Sequence, residues 1–230
     1  MATTIEADAN PEKRLFISLL TRDIPMIAAL LDLIDNSVNA AVEPFAGRLE
    51  TADGYVEALN DKSLAPSTEI RLGISSDKID ITDTAPGISS LTAQKHVFKF
   101  GRSENEENES DRLSVYGLGL KRAIFKLGNK IHIVSNHIDG RFEMFLDVAE
   151  WAKDPRIPWK FDLTKREPVP PKDCGTRISV TELYPETRRR VSDGLFIGQL
   201  KESIARTYSF FLAKFVKISV GEYEVKPANL

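Results

Sequence analysis

The chain reads as an α/β domain, and three patterns predict it. Ala29 to Ala40 carries apolar residues at helical spacing, residues 70–81 and 130–148 alternate as paired strands do, and two glycines open a helix ahead of the second strand pair. At 230 residues the chain suits one large domain or two small ones, and no linker divides it. A formal charge of −3 gives no general affinity for nucleic acid, so DNA as a partner is not supported by net charge. One cysteine, Cys174, excludes an intrachain disulfide framework and fits a reducing compartment. With neither a signal-peptide pattern nor an apolar run of membrane-spanning length, a cytoplasmic protein without membrane contact is expected.

Residues 1–20 form an N-terminal arm, polar at first and then carrying Leu15, Phe16, Leu19 and Leu20, a patch that could dock on its own domain or on a second copy. The principal helix follows, with Asp23 as its cap, Pro25 in its first turn and Glu43-Pro44 as its end. Leu30, Leu31, Leu33, Ile34 and Val38 make one apolar face. Asp32, Asp35, Asn36 and Asn39 fall at i, i+3, i+4 and i+7 on the other. Asp and Asn are poor helix formers, and no basic residue lies among them. Such a face suits a hard cation or a ligand that donates hydrogen bonds; an ordinary solvated face is the alternative.

Asp53-Gly54 signals a turn, and Tyr55, Val56 and Leu59 a short helix. The first strand pair runs into Asp83-Thr84-Ala85-Pro86-Gly87-Ile88, where a carboxylate at a strand end either faces a pocket or caps the turn. Ser89 or Ser90 caps a helix reaching about Phe100, and Gly101 to Asp111 is a polar, acidic loop. In Tyr116-Gly117-Leu118-Gly119-Leu120-Lys121 the glycines let backbone N–H groups approach an anion at a helix start, where the dipole and Lys121 favour phosphate. That helix ends near Leu127, with Gly128 as its stop. Strands are expected over 130–136 and 141–148, then a Pro-rich connection over 151–174, a strand from Gly175, a helix over 186–212 interrupted near Gly194 and Gly198, and a final hairpin.

Taken in order, D-L-I-D-N-S-V-N-A, D-T-A-P-G-I, Y-G-L-G-L-K and G-T-R-I-S-V resemble the nucleotide-binding boxes of the GHKL superfamily: gyrase-type ATPases, ninety-kilodalton heat-shock chaperones, histidine kinases and MutL-like proteins. K-F-G-R-S and the third box are nearest in style to the microrchidia-like and chaperone-like branch. The resemblance implies a two-layer Bergerat sandwich over 21–230, with a mixed, mainly antiparallel sheet and helices on one face. It implies that Asn36 ligates magnesium bridging the ATP phosphates and that Asp32 activates the attacking water. Asp83 would accept from the adenine amine, and Thr176 would support the same edge. Gly117, Leu118, Gly119, Leu120 and Lys121 would bind phosphate, and residues 101–114 would form a lid. Gly87, Ile88, Gly101, Ser103 and Tyr116 complete the implied nucleotide-binding set.

Two departures stand out. Asp32 replaces the usual glutamate, drawing its carboxylate back by one methylene, and a displacement of about 1 Å can cost on the order of a hundredfold in rate. Ala85 stands where glycine is usual, and alanine tolerates positive φ poorly. The implied activity is therefore ATP binding with slow magnesium-dependent hydrolysis, driving lid closure and homodimerisation, in the N-terminal module of a larger protein or assembly. An ATP-sensing switch with little turnover is the alternative. A histidine kinase would need a phosphoacceptor helix upstream, whereas His96, His132 and His137 fall inside the domain.

Overall fold

The computed structural model describes residues 11–100, 118–153 and 157–228. Period-two alternation builds its sheet. Thr68, Ile70 and Leu72 of β1 (Thr68–Ile74), Ile79 and Ile81 of β2 (Lys78–Asp83), and Ile131, Ile133 and Ser135 of β3 (Gly128–His137) are buried. So are Phe142, Met144 and Leu146 of β4 (Gly140–Asp147). With β5 (Thr164–Arg166), β6 (Gly175–Leu183), β7 (Val216–Val220) and β8 (Tyr223–Val225), the order is β5-β4-β3-β6-β2-β1-β7-β8. Among the described residues only the β1–β7 pair is parallel. Placing β6 between β3 and β2 sets Arg177 opposite Thr82, so the first residues of β6 lie beside the end of β2.

Helices cover the apolar face of the sheet. Leu30, Leu33, Ile34 and Val38 of α2 (Met26–Val42) join Ala123, Ile124, Phe125 and Leu127 of α5 (Gly119–Leu127) and Leu200 and Ile204 of α8 (Phe196–Thr207) in one core. Each Leu, Ile, Val and Phe among them contributes about 1.5–3 kcal/mol of burial. The opposite face carries the Lys78–Asp80 and Lys130–Glu182 ion pairs, and His132 Nε2 lies 2.8 Å from Glu143 Oε1. This is the expected α/β layering, with a mixed, mainly antiparallel sheet. Among the described residues, no helix is long and apolar enough to cross a membrane.

Local chemistry moved several boundaries. Pro25 flanks α2 instead of entering it, no side chain caps the helix there, and Asp23 pairs with Arg22. Asp53-Gly54 lies in the first turn of α3 (Ala52–Asn60): Thr51 Oγ1 accepts from Gly54 N, and a Cβ on Gly54 would sit 1.9 Å from the Arg48 carbonyl oxygen. Ser89 does cap α4 (Ser90–Thr92), but that helix widens into a π turn and stops at Val97. Gly128 opens β3 directly, with extended φ of −172°. The Pro-rich connection holds β5, which was not expected. Gly198 lies within α8, and the second interruption falls at Tyr208 before α9 (Ser209–Lys214).

Within the arm, α1 (Lys13–Thr21) docks on its own domain. The buried Lys13 ammonium donates to the carbonyls of Trp151 and Ile157 at 2.9 and 2.6 Å, while the Phe16 ring meets Phe100 and Trp159 edge-on. α6 (Val148–Lys153) supplies Trp151, and α7 (Pro185–Val191) leads to α8.

Candidate functional site

Asp83 ends β2, and the neighbouring start of β6 closes around it. Its Oδ1 accepts from the backbone N–H of Ala85 at 3.0 Å and of Thr176 at 3.1 Å, and its Oδ2 accepts from the Ser37 hydroxyl at 2.7 Å. Burial raises its pKa, which these three donors oppose. A carboxylate has room for about four donors, so one acceptor position remains for a ligand. The Thr176 hydroxyl meets Ser135 Oγ at 2.9 Å, and that same oxygen accepts from Ile88 N at 2.7 Å. Gly87, at φ +78°, could not be another residue, because a Cβ there would lie 2.0 Å from the Asn136 carbonyl oxygen. Gly175, at φ +145°, likewise leaves no room for a side chain, since a Cβ there would lie 2.2 Å from the Asp83 carbonyl oxygen. Ala85 needs no such freedom: it is buried with ordinary negative φ, so the strain of this turn falls on Gly87.

One turn of α2 presents the next groups. Asn36 Nδ2 donates to the Asp32 carbonyl at 2.6 Å, which leaves Oδ1 as the acceptor of that amide. Asp32 forms a bidentate pair with Arg122, Nε to Oδ2 at 2.6 Å and one Nη to Oδ1 at 2.8 Å. Asp35 Oδ1 lies 2.6 Å from the Tyr208 hydroxyl, which is also 2.9 Å from the Leu31 carbonyl; its single proton can satisfy one of them at a time. Burial raises the pKa of Asp35, and burial with the Asp35 charge beside it raises that of Tyr208.

Leu118 precedes α5 without a side-chain cap, so the opening N–H groups of Gly119, Leu120 and Lys121 have no partner within the helix. A Cβ on Gly119 would lie 3.6 Å from Asp32 Cγ, so α5 starts against the acidic face of α2. The Lys121 side chain does not take part in this turn. It runs into the interior, donates to the Val97 carbonyl at 2.7 Å, and is pushed down to about 8 by burial.

The four motifs therefore meet: Ser37 joins the first to the second, Gly119 packs on the first, and Thr176 binds the second. Gly101, Ser103, Tyr116, Gly117 and the expected lid at 101–114 lie outside the described residues. Among the described residues, no cluster of three His, Cys, Asp or Glu could hold a metal. Asn36 could add one oxygen to a cation already held by phosphates, the mode usual for magnesium. Ser37, Ser135, Arg122 and Tyr208 escaped the sequence reading. Ser135 had a legible signal, a hydroxyl at an inward position after Ile131 and Ile133; Tyr208 had none.

A family model for histidine kinase-, DNA gyrase B- and HSP90-like ATPases matches residues 24–176. A search of curated proteins finds no match. The matched span covers more than half of the chain and holds all of the contacts above except those of Tyr208, so the protein belongs to the GHKL ATPase superfamily, and ATP is the ligand that this membership implies.

Proposed function

We propose that the protein binds ATP with magnesium at this site and hydrolyses it slowly. The observation that carries the reading is the unbroken contact from Thr176 through Asp83 and Ser37 to α2, and from Asp32 to the start of α5. Asp83 accepts from the adenine amine, with Thr176 beside it. The first N–H groups of α5 receive the phosphates. Asn36 Oδ1 would add an oxygen ligand to magnesium arriving with the phosphates, and the ion would supply neutralisation of their charge. In hydrolysis a water oxygen bonds to the γ-phosphorus as the bond to the β–γ bridging oxygen breaks. ADP leaves with that electron pair, and the water's proton passes to Asp32. Closure of the lid and pairing of two copies, in a module working with a further domain or partner, is the use of ATP that the family resemblance supports.

A second reading, an ATP-sensing switch with little turnover, is favoured by Arg122 occupying both oxygens of Asp32. Two measurements separate these readings. A non-hydrolysable ATP analogue should bind in a magnesium-dependent manner, weakened about tenfold or more in Asn36→Ala. Steady turnover that rises in Asp32→Glu supports a slowed enzyme, whereas binding without turnover in either protein supports the switch. Absence of binding to the unmodified protein overturns both.

A further inference from the structure

Arg122 takes no step in the hydrolysis proposed above, yet it holds the group on which that hydrolysis depends. Its guanidinium offers five N–H donors in a planar fork, and the Asp32 carboxylate takes two of them. The pair sits where the N–H groups and dipole of α5 favour an anion, since Gly119 packs against the same carboxylate. Of the two basic residues that open α5, Lys121 is committed to the Val97 carbonyl in the interior. Arg122 is the more accessible member of its pair, with a side chain 40% exposed against 13% for Asp32. A partly exposed cation therefore pairs with a largely buried carboxylate that lies against the start of α5, where phosphate is expected.

Resting on the ATP reading, we propose that Arg122 reads the terminal phosphate of a nucleoside triphosphate. It exchanges from the Asp32 carboxylate to that phosphate, and the exchange frees Asp32 to take the proton from water. A diphosphate brings no group to that position and leaves Arg122 on Asp32. Arginine suits the task because phosphate and carboxylate both accept its two-pronged donation, so neither anion leaves the guanidinium unsatisfied. Asp35, the other carboxylate that acts on Arg122, is engaged with Tyr208 and leaves Asp32 as the competing anion.

The test compares binding of a non-hydrolysable ATP analogue and of ADP to the unmodified protein, Arg122→Gln, Asp32→Asn and the double variant, with thermal unfolding of each. Arg122→Gln should lose on the order of tenfold or more in triphosphate affinity with ADP affinity unchanged, a coupling of ordinary allosteric size. Asp32→Asn, which removes the competing anion, should bind the triphosphate several-fold more tightly, and the double variant should bind it as weakly as Arg122→Gln. Equal losses for both nucleotides in Arg122→Gln would make the pair merely structural and overturn the proposal. So would an unchanged triphosphate affinity in folded Asp32→Asn, a readout that stands even where Arg122→Gln does not fold. Failure of the unmodified protein to bind either nucleotide is a separate result that overturns the ATP reading and this proposal with it.

Discussion

The Ser37 hydroxyl donates to Asp83 Oδ2 at 2.7 Å, fastening helix α2 to the end of strand β2. Asp83 is thus both an adenine acceptor in the proposed site and the meeting point of three donors.

Its substitution should therefore affect binding and folding differently according to what replaces it. Asp83→Asn should abolish nucleotide binding while retaining most of the fold, because the amide oxygen still accepts. Asp83→Ala should in addition destabilise the protein by about 2–4 kcal/mol, since buried donors lose their partner. Urea unfolding of both variants, beside titration with ATP analogue, checks the two effects.

Two glycines should respond in opposite directions to alanine. Gly87→Ala forces a Cβ into the Asn136 carbonyl at positive φ and should cost about 2 kcal/mol or more, with loss of nucleotide binding. Gly198→Ala lies on an exposed stretch of α8 with nothing within 4 Å, and should stabilise by about 0.5–1 kcal/mol. Thermal unfolding gives both signs directly.

Asp35 should leave a pH signature. Burial raises its pKa above 3.8, so the folded protein holds that proton more tightly than the unfolded chain does. The associated stability is complete below pH 3.8 and is lost as pH rises through the folded value. Asp35→Asn, which keeps an acceptor for Tyr208, should gain stability relative to the unmodified protein as pH climbs above 3.8. Parallel stability–pH curves would remove Asp35 as the source.

Lys121 predicts a slope at the other end of the scale. Burial lowers it from 10.5 to about 8, so between those values the unfolded chain binds more protons. Stability of the unmodified protein should rise across that interval, and Lys121→Met should lack the increment. Denaturant titrations at pH 8 and pH 10 suffice.

Much of this was legible in the chain. Strict alternation announced β1 to β4, and apolar spacing announced α2, because each lies half in the core and half out. The short β5 was hidden, since three exposed residues on a sheet edge need no apolar pattern. The Asp83 and Gly87 pairing showed in a local turn motif. The Asp32–Arg122 pair did not, because it spans 90 residues and depends on how α5 packs on α2. Its position beside the glycines predicts a phosphate role for Lys121, yet the aromatic interior around Phe100 and the Val97 carbonyl draw its side chain inward.

The parallel joint in the sheet bears on how the chain is made. β2 can pair with β1 as soon as both leave the ribosome, but the other edge of β1 waits for β7, about 150 residues later. At ordinary synthesis rates that edge stands open for roughly 7 to 30 s. Its alternating Ile70 and Leu72 face inward, and its backbone N–H and C=O groups are unpaired throughout that interval, a template for stray strands from other nascent chains. Arg71, exposed between them, and the half-buried Glu69 that precedes Ile70 are the charges positioned to discourage such pairing.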